Sequence, residues 1–514
     1  MSLRNRIFAA GYDPLTARWQ RRRCAELRRK LLANAEGLRR PLLGSRTALA
    51  VAAITALGGL LRFATLGRQS YWYDEAVTVG LVREPLLHMI RLSAGTESTP
   101  PLYYVVGWAW TKLFGTSEVG LRSLSAIFGT LAIPAAFAAG RELVSARAGL
   151  LAAALTAASP FLVWYSQEAR AYSLLVLLGA VSVALCGRAL KRPTRGVLSL
   201  WAASAALALW TEYFALFLVA AEAAVLASSR RRRRLATLPF AGVGLAAVAV
   251  FPLAYHQANT SLNDWIGRIP LRIRLESAAR WLVVGPFSTA HVWWTIGGVI
   301  VLGLGAVLLL STRRERRSAA LAAGLGGASF LLPLIPATLG SDYFLFRNVI
   351  AAWVPFAIAL GAGLATEAPL RPWLRAVSVC AAVALVVLST TISIKVTSGR
   401  HYARQDWRGV ARCLNSTGRP RAILVSPAHE RAALKLYLPS VEEVRHAGRT
   451  SAELDVIGQP ASAFDPPLHL PRMLVPAGAS CSDSIPVFRY RSPRAVSLRP
   501  PQRDVALLYD PEAP

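Results

Sequence analysis

The chain has 514 residues, 54% of them hydrophobic and only 17% charged, where a soluble domain carries about a quarter. That composition excludes a single water-soluble globule. Lys and Arg number 58 against 28 Asp and Glu, for a net charge of +30. The basic clusters alternate with apolar stretches of about 20 residues, the length that crosses a bilayer as a helix, so the charge reports topology and not a nucleic-acid partner.

In chain order, residues 1–46 are polar and Arg-rich and lack the apolar core and small-residue cleavage site of a secretory signal, so they are expected to form a cytoplasmic tail. Eleven apolar segments come next, at 47–66, 121–140, 148–165, 172–190, 196–213, 214–229, 237–256, 294–312, 319–339, 346–366 and 374–394. With the N-terminus inside, the basic clusters at 141–147, 188–195, 230–234, 313–317 and 371–375 all fall on the cytoplasmic side, as the positive-inside rule requires. The Arg run at 230–234 is read as a topology determinant. The transmembrane region is then 47–394, with a long outer loop at 67–120 and a second outer loop at 257–293. Inside the first loop, 101–110 is apolar and aromatic but too short to span, and is expected to be an interfacial helix. Arg62, in the outer half of the first span, is expected to snorkel.

Beyond residue 394 the composition changes. Pro and charge recur throughout 395–514, with helical patterns at 407–414 and 430–438 and short strand-like runs at 422–425, 473–475 and 505–508. The expected fold is an all-α polytopic membrane protein with about 11 transmembrane helices and a small C-terminal extracytoplasmic α/β domain. Five cysteines are too few and scattered for a disulfide framework; at most Cys413 and Cys481 pair. No Gly-x-x-x-x-Gly-Lys loop points to a nucleotide-driven pump.

The ionisable residues concentrate in the outer loops and at outer helix ends, where water and a lipid-borne substrate meet. Asp74 and Glu75 follow the first span, set among Tyr71, Trp72 and Tyr73. Neighbouring helical positions differ by about 100°, so the two acids divide the work: one as general base on an acceptor hydroxyl, the other orienting substrate or a metal. Ser98-Thr99-Pro100-Pro101-Leu102-Tyr103-Tyr104 comes next, then Glu118 with Arg122, then Gln167-Glu168-Ala169-Arg170-Ala171-Tyr172. Further along stand Asp342-Tyr343-Phe344-Leu345-Phe346-Arg347-Asn348 and Asp406-Trp407-Arg408.

In this order the motifs resemble family 39 glycosyltransferases and the bacterial mannosyltransferase-like members of the GT-C superfamily, over about residues 45–410. The resemblance implies an inverting transfer of a sugar, with mannose favoured, from a polyprenyl-phosphate donor at the outer face of the membrane. It maps the family's catalytic aspartate onto Asp74, with Glu75 the neighbouring acid. Arg122, Arg170 and Arg347, at outer helix ends, are the candidates for the donor phosphate, since Arg offers a permanently charged fork to phosphate oxygens. Tyr71, Trp72, Tyr103, Tyr104, Gln167, Glu168, Tyr172 and Glu212 are candidates for substrate binding, and an interfacial aromatic belt explains the first four equally well.

Many relatives carry His where this chain has Thr99 and Glu212, which weakens a His-based metal site. No cofactor is certain and a divalent metal is possible. His256, His291 and His401 show no metal-ligand spacing. The expected partners are the donor, the bilayer, and a protein, glycolipid or cell-wall acceptor; arabinose or an amino sugar are alternatives to mannose. Arg- and Ala-rich composition points to a high-GC bacterium and its plasma membrane. The competing class is a lipid-linked substrate transporter or flippase, which should show broken or symmetric helices with midplane charges.

Overall fold

A computed structural model describes residues 45–287, 291–340, 342–399, 402, 404–415, 421–443, 450–458, 473, 475–479, 485, 487–497 and 505–509. Cys24, Cys481, His401 and the tail up to residue 44 lie outside the described residues. Contacts divide the chain into two compact units, Met1–Ala52 and Ala53–Pro514. Of the former only the start of the first helix is described, and the latter holds the remaining elements.

The helices in the first half are α1 (Ser45–Phe63), α2 (Tyr73–Arg83), α3 (Leu86–Thr96), α4 (Leu102–Phe114), α5 (Glu118–Leu143), α6 (Ala146–Ala158), α7 (Pro160–Ser166), α8 (Tyr172–Lys191), α9 (Arg195–Leu209), α10 (Ala215–Ala227), α11 (Arg230–Leu235) and α12 (Thr237–Ala258). After them come α13 (Asp264–Arg268), α14 (Leu271–Val284), α15 (Val292–Leu310), α16 (Arg313–Leu331), α17 (Leu334–Thr338), α18 (Trp353–Leu364) and α19 (Pro372–Ser398). Six of these are long and apolar enough to cross a membrane, the pair α6–α7 adds a seventh, and α9, α10, α15 and α18 are shorter apolar helices. Their positions coincide with the eleven apolar stretches read from the sequence.

Local chemistry sets the helix starts. Ser117, Ser145, Ser159 and Thr194 each accept a hydrogen bond from a backbone N–H of the first turn, and Thr312 with Glu315 forms a reciprocal capping box. Ser159-Pro160 breaks one span: Pro160 lacks the N–H that would continue α6, so the chain restarts as α7 bent by 57°. The bend delivers the loop at 167–171 to the side of α2.

Buried polar groups brace the bundle. Arg62 is 0% exposed, which corrects the snorkelling expectation. It donates to the carbonyls of Gly58, Thr156 and Ala157 and to the Ser166 hydroxyl at 2.8–3.1 Å, because a buried guanidinium needs its N–H groups satisfied. The first loop holds three helices, α2 to α4, and α4 covers the 101–110 stretch expected to be helical.

The C-terminal region folds as α20 (Trp407–Asn415), β1 (Arg421–Ser426), α21 (Arg431–Tyr437), β2 (Val441–Glu443), β3 (Thr450–Gly458), β4 (Val475–Ala479), β5 (Val487–Ser497) and β6 (Val505–Tyr509). The sheet order is β2-β6-β1-β3-β5-β4, with β1 and β3 parallel and the other pairs antiparallel. Trp407, Val410, Leu414, Ile423, Val425, Leu434 and Ala76 of α2 share one buried cluster. Tyr437 clamps the same junction: its hydroxyl accepts from the Tyr71 N–H at 2.7 Å and donates to Glu118 at 2.8 Å. Cys413 is disulfide-bonded, while Cys186 and Cys380 are free.

Candidate active site

Three ion pairs gather Asp74, Glu75 and Glu97 with the expected arginines around the N-terminal turn of α2, and they differ sharply in burial. Glu75 and Arg122 have side chains 0% and 1% exposed. Arg122 donates to both Glu75 oxygens at 2.5–2.7 Å and to the carbonyls of Leu66, Gln69 and Ser70 at 2.6–2.9 Å. These contacts engage all five N–H groups of the guanidinium, leaving none for a phosphate. Glu75 also accepts from the Ala169 N–H at 2.9 Å, which ties the 167–171 loop to α2. Burial alone would raise the Glu75 carboxyl, yet Arg122 holds it below the usual carboxylate range.

Arg170 makes a two-pronged pair with Glu97 at 2.6 and 2.8 Å, again nearly buried. Asp74 is the exception. Its Oδ2 accepts from Arg347 at 3.1 Å, and the two side chains are 16% and 18% exposed, so this is the pair that a substrate can reach.

Arg347 stands on the wall of a cavity of about 380 Å³ whose aromatic lining is Trp72, Trp164, Tyr165, Trp265, Trp281 and Phe346. Glu168, Arg274 and Arg404 supply its other charged groups. Arg274 is committed to structure: it pairs with Asp342 at 2.5–2.6 Å and donates to the Phe344 carbonyl, which fixes the turn that presents Arg347. Arg404 lies 4.2 Å over the Trp164 ring and donates to Glu168 Oε2 at 3.1 Å. The other oxygen of Glu168 is buried and has no partner, as are the indole N–H of Trp72 and Oε2 of Glu212. Burial pushes the Glu168 carboxyl up to about 7, against the pull of Arg404.

On the far side of Asp74 the C-terminal region contributes His429, edge-on to Tyr73 at a ring separation of 4.6 Å, and Glu430, which accepts from Gln405 at 3.0 Å. Burial carries Glu430 up to about 7 as well.

Several expected substrate residues are packed away. Tyr103 and Tyr104 are 0% exposed, with hydroxyls bonded to Ser125 and Thr99 at 2.8 Å each, so neither presents a face to a sugar. Tyr71 points inward, donating to the Ser117 carbonyl at 2.7 Å beneath the Arg122 guanidinium. Gln167 caps the end of α1 through the carbonyls of Leu61 and Arg62 and the Thr65 hydroxyl. Tyr172 is buried edge-on against Tyr165 at 4.6 Å. Of the eight substrate candidates, Trp72, Glu168 and Glu212 keep an unpartnered polar atom.

Glu97, Arg404, His429 and Glu430 escaped sequence reasoning. Glu97 directly precedes the Ser98–Tyr104 motif and Arg404 precedes Asp406-Trp407-Arg408, so adjacency to those motifs was the available signal. Among the described residues no three His, Cys, Asp or Glu side chains converge as metal ligands.

Residues 98–256 match the family described as dolichyl-phosphate-mannose-protein mannosyltransferase. Comparison with curated proteins finds no match. Among solved structures, ArnT of Cupriavidus metallidurans bound to undecaprenyl phosphate superposes with a TM-score of 0.51 at 15% identity, covering 85% of this chain and 97% of that one. The oligosaccharyltransferase of Archaeoglobus fulgidus in its apo form gives 0.48 at 12% identity, covering 76% and 60%. The chain therefore spans about 60% of the length of that archaeal enzyme. The mycobacterial arabinofuranosyltransferase AftD gives 0.44 at 17% identity, covering 75% and 31%. The likeness to ArnT is one of fold, a polytopic helical architecture.

Proposed function

We propose that the protein is a glycosyltransferase that moves a sugar from a polyprenyl phosphate to an acceptor hydroxyl at the extracytoplasmic face of the plasma membrane. The observation that carries this reading is the Asp74–Arg347 contact at the edge of the aromatic cavity. It joins a partly exposed carboxylate to a partly exposed guanidinium on the cavity wall. The name of the matched family and the undecaprenyl phosphate in the ArnT structure support a polyprenyl-phosphate donor.

In this mechanism the donor phosphodiester displaces Asp74 from Arg347 and engages Arg404 as the second cation. Trp72, Trp164 and Trp265 shelter the first isoprene units. Asp74, freed from its counter-ion, takes the proton of the acceptor hydroxyl while that oxygen attacks the anomeric carbon from the face opposite the phosphate. The anomeric C–O bond to phosphate breaks, its electron pair goes to the leaving oxygen, and the configuration inverts. The resulting polyprenyl phosphate stays on the two guanidiniums, which act on charge that grows in the transition state. Arg122 and Arg170 hold the loop and α2 in place; of the three arginines expected at the phosphate Arg347 keeps that role, and Arg404 joins it. Mannose is the favoured sugar, and a protein, glycolipid or cell-wall polymer the acceptor.

Arg347→Ala and Arg404→Ala each weaken binding of undecaprenyl phosphate about 10- to 100-fold, as read by quenching of the cavity tryptophans, and Lys at either position rescues only in part. Unchanged affinity in both Ala variants removes the cavity from donor recognition.

Glu168 makes donor binding depend on pH. It holds its proton below about 7, so rising pH places new negative charge on the cavity wall and pairs Arg404 more tightly with Glu168. Donor affinity falls as pH rises through about 7, and Glu168→Gln flattens the profile. A wild-type affinity that is level across that interval contradicts the assignment.

The topology follows the basic clusters, with the N-terminus cytoplasmic and 395–514 outside. In intact cells a membrane-impermeant thiol reagent modifies Ser451→Cys and spares Arg232→Cys; the reverse pattern places the site on the wrong face.

A further inference from the structure

Far from the Asp74 site, a second cavity of about 440 Å³ opens on the outside of the helical bundle. Its walls are Leu216, Ala223 and Ala227 of α10 and Phe240 and Gly244 of α12, with Trp201 of α9 at the floor. The Trp201 indole is already satisfied, donating to Glu222 at 2.7 Å. From Leu216 to Ala227 a helix rises about 17 Å, close to the depth of one leaflet in a hydrocarbon core about 30 Å thick. Glu212, beside the candidate active site, precedes the start of α10, so the Ala227 end of the groove lies at the opposite face of the bundle.

At that end stand the arginines of α11. Arg230, Arg231, Arg233 and Arg234 are exposed, and among the described residues none is paired with a carboxylate. Arg232 is bonded within the chain, to Leu226 and Ser228. An apolar slot as deep as one acyl chain thus ends in a cluster of exposed guanidiniums. Neither feature alone selects a ligand; together they match a molecule with a hydrocarbon tail and an anionic head.

We propose that the groove between α10 and α12 binds an anionic glycerophospholipid of the cytoplasmic leaflet, one acyl chain lying against Trp201 and the phosphate resting on the α11 arginines. This role is independent of the sugar-transfer reading and adds to the topological use of the same charges. The aromatic cavity at the other face leaves the polyprenyl donor a separate place.

Gly244 offers a clean test, because it lines the groove and a Cβ there meets nothing within 4 Å, so a large side chain has room to enter the slot. Gly242 is equally open but lies two residues away on the same helix and does not line the groove, so it serves as the control. Native mass spectrometry of the full chain titrated with phosphatidylglycerol or phosphatidylethanolamine reads occupancy directly. Phosphatidylglycerol is retained about tenfold more tightly than phosphatidylethanolamine, Gly244→Phe and the double variant Arg233→Gln/Arg234→Gln each cut that retention about tenfold, and Gly242→Phe leaves it unchanged. Matching melting temperatures in lipid-free detergent establish that the variants are folded. Equal retention of the two lipids, or retention in Gly244→Phe as high as in Gly242→Phe, overturns the proposal.

Discussion

Replacing Asp74 by Asn lowers sugar transfer about 100- to 10,000-fold while leaving donor affinity within a few fold. A sugar hydroxyl is a poor nucleophile at neutral pH, and a positioned base contributes about 3–5 kcal/mol of barrier lowering. Asn keeps the size of Asp and a hydrogen-bonding oxygen but cannot take a proton. It also lacks the charge that pairs with Arg347, so the donor phosphate meets less competition and binding does not suffer. Glu75→Gln acts differently, since Glu75 touches Arg122 and the Ala169 N–H and does not line the aromatic cavity. Near-normal turnover by a folded Asp74→Asn protein removes the base from the scheme.

The second large effect is structural. Arg122→Ala leaves Glu75 charged, fully buried and without its counter-ion, and also releases three backbone carbonyls of the 66–70 loop. Breaking a buried pair in this way costs about 3–5 kcal/mol. The expected outcome is a large loss of folded protein at ordinary temperature, measured by thermal melting in detergent, with partial recovery when Glu75→Gln removes the stranded charge. Donor affinity in the recovered double variant stays near wild type, because no N–H of Arg122 points to the cavity. A stable Arg122→Ala protein that has lost donor binding would return Arg122 to the phosphate site.

Much of the fold was legible because bilayer helices announce themselves one segment at a time: each apolar stretch is continuous in sequence and bounded by Arg clusters or by Ser and Thr caps. The C-terminal helices and the runs at 422–425 and 505–508 were equally local signals. The candidate residues Asp74, Glu75, Arg122, Arg170 and Arg347 do converge, but sequence could not say which acid meets which arginine. Glu75 and Arg122 are 47 residues apart and Asp74 and Arg347 are 273 apart. Only the packing of α2 against α5 and the bend at Pro160 decide those pairings, and with them the split between buried braces and a reachable site. The aromatic residues were misleading for the same reason. Tyr103 and Trp72 look alike in sequence, yet Tyr103 points from α4 into the core while Trp72, preceding α2, edges the cavity.

The most direct test is turnover. Purified protein in membrane extract, supplied with polyprenyl phosphates carrying radiolabelled mannose, arabinose or an amino sugar, should transfer label from at least one donor to an extracted acceptor, and the Asp74→Asn protein should not. Absence of transfer from every donor, together with polyprenyl phosphate moving across the bilayer of reconstituted vesicles, would contradict the enzymatic account and make the protein a carrier of its lipid.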